Sequence, residues 1–258
     1  MKMSMIDAQK AGSDMLKEVT RICREENLTY FGYFGTMLGA VRHHGPIPWD
    51  ADVDIYVPEP EMERFAVAMK EKLPPQYWIH YRNEDDHPRT FARIGLAGYK
   101  TETLHIDVFR LVGFPSDEAA QKEMMKKGRR LYIMWKAKVV DPDYYYSDRN
   151  DKRVKVKELK KLLVWKNAQK LAEKFDELCR QYDYDRAEYV GFPIGSAKYL
   201  YKKSDFDEIT EVPYEDFKLA IPAKYDVLLT HMYGDYMQLP PEEERNAGIN
   251  SVLTIRER

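Results

Sequence analysis

The sequence predicts an α+β fold: a mixed β-sheet core flanked by helices, followed by a mainly helical C-terminal half. Three observations carry that prediction. Within the first 113 residues several short runs alternate apolar and polar side chains, the period of a half-buried strand. Between those runs, and over long charged stretches beyond Pro115, apolar residues return every three or four positions, the period of a helix with one buried face. With 258 residues and 44% hydrophobic content, the chain can bury one large core, and no repeat or low-complexity linker divides it.

The elements follow in order. From Ile6 to Asn27, Ala8, Ala11, Met15, Val19, Ile22 and Cys23 mark one helical face, which Asn27 ends. "LTYFGYFG" reads as a strand, and Gly35-Thr36 as a turn whose threonine N-caps a short helix over "MLGAVRH". Gly45, Pro46 and Pro48 force an irregular link to "DVDIYV", a second strand that Pro58 stops. Glu59 to Leu73 is helical in pattern, and "QYWIHYR", "TFARIGLA" and "LHIDVFRLV", which ends at Gly113, read as strands. Helices follow over Asp117 to Lys138 and Lys152 to Tyr182, and "DFKLAIPAKYDVLLTHMYG" reads as a short strand and a closing helix. Residues 1–113 and 114–258 are expected to pack as a single domain.

Composition narrows the function classes. Lys+Arg total 41 and Asp+Glu 43, a net charge of -2, so no global basic field draws the chain to nucleic acid. The two cysteines, Cys23 and Cys179, lie far apart within helical patterns and read as buried thiols of a reducing compartment. The N-terminus has no apolar signal core, and no run approaches the roughly 18 apolar residues of a membrane span. The expectation is a cytoplasmic protein, at most peripheral to the inner membrane face.

"DADVD" places Asp50, Asp52 and Asp54 within five residues. In an extended chain Asp52 and Asp54 share one face, while Val53, Ile55 and Val57 face the core. Neighbouring carboxylates raise each other's pKa unless a cation neutralises them, and their hard oxygens suit Mg²⁺ or Mn²⁺. Asp107 in "HIDVF" offers a third carboxylate from a neighbouring strand, and three such acids can hold two ions. Upstream, the helix start at Gly35-Thr36 offers backbone N–H groups and a hydroxyl to a phosphate. A phosphate cradle beside a metal pair is the arrangement of phosphoryl transfer. An EF-hand, the competing reading, fails because Ile55 stands where that loop needs glycine.

The blocks "YFGTMLGAVRHHGPIPWDADVDIYV", "HIDVF" and "IPAKYDVLLTHMYGDYMQLPPEEER" closely resemble the LicD family of phosphocholine transferases, which belongs to the nucleotidyltransferase fold superfamily and is similar to the fukutin group. The likeness spans almost the whole chain. Where the family's motif carries an acidic residue this chain has Ala51, which would point away from the Asp52/Asp54 face. The resemblance implies a nucleotidyltransferase-like core and transfer of phosphocholine, or a related phospho-alcohol, from CDP-choline or another CDP-alcohol to a hydroxyl. The acceptor would be a surface glycan or teichoic acid precursor, and CMP would be released. It further implies that Gly35 and Thr36 hold the donor's phosphates, that Asp52 and Asp54 ligate metal, and that Asp107 completes the site as a ligand or as the base.

Arg42 is a candidate diphosphate clamp or an ordinary surface arginine. Trp49 could box a quaternary ammonium or pack on the Pro46-Ile47-Pro48 turn. Lys202, beside Lys203, is a further candidate phosphate contact. Adjacent His43 and His44 point in different directions and do not share a metal. Tyr144 to Tyr146 could join an aromatic cage, and "KEMMKKGRRLYIMWKAK" reads as a solvated helix face or as a contact for an anionic acceptor. Tyr233, Gly234 and Asp235 read as the structural end of the closing helix. Two other functions share these features: nucleotidyl transfer from an NTP, and a non-catalytic nucleotide-binding module, against which the retained acids argue.

Overall fold

The computed structural model describes residues 2–82, 89–98, 104–140, 150–163, 166–195, 199–249 and 252–254. In chain order its first elements are β1 (Lys2–Ser4), α1 (Met5–Glu25), β2 (Phe31–Gly32), α2 (Phe34–His43), β3 (Val53–Pro58), α3 (Met62–Lys72), β4 (Tyr77–His80), β5 (Ala92–Leu96) and β6 (His105–Phe114). Then come α4 (Glu118–Val139), α5 (Asn150–Leu162), α6 (Ala168–Cys179), β7 (Tyr189–Gly191), β8 (Leu200–Lys202), β9 (Ile209–Tyr214), β10 (Phe217–Pro222), α7 (Tyr225–Tyr233), α8 (Glu242–Ile249) and β11 (Val252–Thr254). Mixed sheet and helices together make the α+β class that the patterning predicts. The candidate cage residues Tyr144 to Tyr146 lie outside the described residues.

The chain divides into two units. The first gathers Met1–Ile79, Arg93–Leu111 and Tyr201–Arg258. Its sheet runs β2-β3-β6-β5-β4, with β2 antiparallel to β3 and β3 parallel to β6. Val53, Ile55 and Val57 of β3 and Ile106 and Val108 of β6 are buried, as alternation requires. The predicted apolar face of α1 is buried through Ala8, Met15, Val19, Ile22 and Cys23, and the Ser4 side chain caps that helix by accepting from the Asp7 N–H. On the apolar face of β6, Arg110 is almost wholly buried and donates twice to Glu59, at 2.6 and 2.7 Å. The second unit comprises His80–Ala92 and Val112–Leu200. There Val112–Phe114 pair antiparallel with β7, and Phe91, Trp135, Phe175 and Phe192 form an aromatic core. Both cysteines are free and buried.

Several elements depart from the sequence reading. Only Phe31–Gly32 of "LTYFGYFG" is strand, because Phe34 takes a left-handed φ of 44° that turns the chain straight into α2. Gly35 and Thr36 therefore lie inside the helix; Tyr33 is the N-cap and Thr36 does not cap it. Asp52 immediately precedes β3, and Pro58 ends it. The long helix expected over Lys152 to Tyr182 is two helices, since Asn167 starts α6 by accepting from the N–H groups of Gln169 and Lys170. The hairpin partner β9 and helix α8, like the short strands β1, β7, β8 and β11, carry too few periodic residues to announce themselves. No helix among the described residues is long and apolar enough to cross a membrane.

Candidate active site

The site begins at the junction of β2 and α2. The Tyr33 N–H donates to the Asp54 carbonyl at 3.0 Å, and the Asp54 N–H donates to the Thr36 hydroxyl at 2.8 Å. Both backbone groups of Asp54 are thus held by the helix start. Thr36 is buried, so its hydroxyl orients Asp54 rather than opening to a cleft. The parallel register of β3 and β6 sets Asp54 directly beside Asp107. On β6, His105, Asp107 and Phe109 share one face while Ile106 and Val108 point into the core.

Two half-buried carboxylates abreast need compensation, and the structure supplies part of it from β5. Arg93 Nε donates to Asp107 Oδ1 at 2.6 Å, and His105 Nε2 stands 3.3 Å from the same oxygen. Burial raises the Asp107 pKa, but Arg93 and His105 outweigh it and hold the carboxyl well below the usual range. A carboxylate held ionised so firmly is a weak base, which favours a role in charge and positioning over proton transfer. Asp54 has the opposite balance: burial, then the charges of Asp107, Asp52 and Asp50, push it well above the usual range, and Arg93 only partly opposes them. Arg93 and His105 escaped the sequence reading; the signal was an arginine in the middle of an apolar strand and a histidine two residues before Asp107, on its face.

Asp50, Asp52 and Asp54 open onto a cleft of about 620 Å³. Gln9 anchors the loop that carries them, donating to the carbonyls of Ile47 at 2.8 Å and Asp50 at 2.9 Å. The Asp52 N–H donates to Asp50 Oδ1 at 3.1 Å, and burial raises the Asp50 pKa. Gly35 forms part of the cleft wall, and a Cβ there would stand 3.0 Å from Asp50 Oδ2, close enough that the Asp50 carboxylate would have to give way by a few tenths of an ångström. Arg42, Trp49, Tyr233, Asp235, Tyr236 and Gln238 also line the cleft; Thr36, Asp107 and Lys202 do not. Lys202 is exposed on β8. Arg42 is engaged within the protein: Nη1 donates to the Tyr236 carbonyl at 2.7 Å, and Nε donates to His43 at 3.0 Å. The Trp49 ring faces cations already, with the guanidinium carbons of Arg42 and Arg245 each 5.8 Å from its centroid. Among the described residues, no three His, Cys, Asp or Glu side chains are gathered around one point as an ion cage would require.

A family model described as LicD/FKTN/FKRP, nucleotidyltransferase domain, matches residues 27–156, which include α2, the three aspartates of "DADVD" and Asp107. This chain belongs to the LicD family. The LicD relationship extends beyond the matched domain: the lipopolysaccharide cholinephosphotransferase LicD of Haemophilus influenzae is 24% identical over 261 residues, covering 95% of each chain. Shorter likenesses join this LicD chain to two uncharacterized rickettsial proteins. One, from Rickettsia typhi, is 34% identical over 26% of this chain and 21% of that protein; the other, from Rickettsia prowazekii, is 40% identical over 27% and 25%.

Proposed function

We propose that this transferase moves phosphocholine from CDP-choline to a hydroxyl of a cell-surface glycan, of the lipopolysaccharide or teichoic acid precursor class, and releases CMP. The observation that carries the reading is the in-register pair Asp54 and Asp107, one lining the cleft and the other, on the adjacent strand, bonded by Arg93. The relative matched end to end, a lipopolysaccharide cholinephosphotransferase by name, supports the choice of reaction.

In the reaction the acceptor oxygen bonds to the phosphorus bearing choline, the anhydride P–O bond breaks, and CMP leaves with the bonding pair. Asp52 and Asp54, both on the cleft wall, stand where they can take the hydroxyl proton. Asp107 supplies fixed charge, Arg93 and His105 hold its orientation, and Thr36 holds that of Asp54. On the cleft wall Asp52 and Asp54 offer hard carboxylate oxygens, and the charge around Asp54 is only partly offset, while Asp107 is engaged by Arg93 and His105 and would have to turn to join them. Mg²⁺ or Mn²⁺ held by Asp52 and Asp54, with Asp107 as the third ligand of the proposal, would neutralise charge on the diphosphate.

The test follows radiolabelled choline from CDP-choline into choline-free lipopolysaccharide with the full chain and Mg²⁺, and measures CMP. Stoichiometric CMP and labelled acceptor are expected, and both should vanish in Asp54→Asn. Pyrophosphate release from CTP or ATP, with CDP-choline untouched, would make nucleotidyl transfer the reaction instead.

A further inference from the structure

The second unit concentrates positive charge that the proposed reaction does not use. Helices α4 and α5, which pack against each other, carry thirteen Lys and Arg against four Asp and Glu, in a chain whose net charge is -2. On α4, Lys122, Lys126, Arg129, Arg130 and Ile133 follow at three- and four-residue steps and are exposed, while Met124, Leu131 and Trp135 on the opposite side are buried. Lys122 and Lys126 pair with Glu118 and Glu123 of the same helix, but Arg129 and Arg130, like Lys127, Lys152 and Lys155, have no ion-pair partner among the described residues. Exposed aliphatic side chains stand among these cations. Ile133 is 45% exposed, and Val154 and Leu162, two turns apart on α5 with Lys155 and Lys161 beside them, are 51% and 72% exposed. Glu158 lies between them and pairs with Lys161 at 2.8 Å.

We infer that the outer faces of α4 and α5 dock on an anionic bilayer surface. Cations without partners gain from anionic headgroups, and the aliphatic side chains among them gain by entering the acyl boundary, while long Lys and Arg stems keep their charges at headgroup level. The phosphates of a nucleic acid or the charges of an acidic polysaccharide would use the cations and leave the aliphatics in water, which favours the lipid surface as the occupant. The inference goes beyond the proposed reaction and holds whichever group the cleft transfers.

The test is flotation of the full chain with vesicles of equal parts phosphatidylglycerol and phosphatidylcholine, against vesicles of phosphatidylcholine alone, at ionic strengths of about 0.1 M and about 0.5 M. Binding is expected to the anionic vesicles and not to the neutral ones, and should fall at the higher salt. Arg129→Gln with Arg130→Gln should weaken it about fivefold per charge removed, and Val154→Ser with Leu162→Ser about tenfold at unchanged charge. All four positions are exposed, so the Tm of both variants should stay that of the wild type, which separates lost docking from lost folding. No binding of the wild type to anionic vesicles, equal binding to both kinds of vesicle, or an arginine pair that binds as the wild type does would each overturn the inference. A serine pair that binds normally, with the arginine pair alone weakened, would overturn it too, by making the surface a general polyanion site.

Discussion

Replacing Arg93 with methionine leaves Asp107 largely buried and beside Asp54 without the guanidinium that bonds it. At 2.6 Å and an effective dielectric constant of about 20, the direct attraction between Arg93 and Asp107 is about 6 kcal/mol. The side chains are 10% and 20% exposed, so much of that gross figure offsets their desolvation, and breaking such a pair from one side costs about 3–5 kcal/mol. For a chain of this size that corresponds to a fall in Tm of roughly 6–20 °C. Thermal and guanidinium unfolding of Arg93→Met, Asp107→Asn and the double variant would measure it, and the double variant should recover well over 1 kcal/mol of the summed losses. Acid gives a second reading. The folded-state pKa of Asp107 is depressed, so its contribution is full above the unfolded value of about 3.9 and is lost as pH falls through the folded value. The gap between wild type and Arg93→Met should therefore narrow on acidification. A loss under about 1 kcal/mol, or strictly additive variants, would refute the view that Arg93 compensates Asp107.

Asp54 predicts the reverse pH dependence. Its folded-state pKa is raised, so in metal-free protein its contribution is fullest below the unfolded value of about 3.9 and declines as pH rises toward the folded value. Asp54→Asn should remove that decline and exceed the wild type in Tm at neutral pH while abolishing turnover; a lower neutral Tm in the variant would count against it. Thr36→Val strips the acceptor from the buried Asp54 N–H and should cost about 1–3 kcal/mol, with Thr36→Ser close to wild type, as read by guanidinium unfolding. Arg42→Met frees the carbonyls of Tyr236 and Gln238, so amide exchange over residues 234–241 should accelerate with the global Tm little changed; unchanged exchange would show that Arg42 does not hold that segment.

The parts of the site legible in the sequence are those that local periodicity governs. Alternation along "DVDIYV" and "LHIDVFRLV" places Asp54 and Asp107 opposite the buried valines and isoleucines, because strand side chains repeat every two residues whatever the strand pairs with. The amphipathic face of α1 and the buried thiols follow from the same kind of count. Thr36 shows where that reasoning stops: its neighbours suggest a helix cap, yet a strand 18 residues away claims the hydroxyl.

By itself, then, the sequence determined the α+β class, the acids and the face they occupy, and the motif that marks the LicD family. Only the tertiary structure decided what those acids meet. The register that sets Asp54 beside Asp107, the Arg93 charge arriving from β5, and the Arg42 bond to a carbonyl 194 residues onward all join distant segments. Such contacts are chosen by burial and charge balance over the whole fold, which no short window of sequence contains.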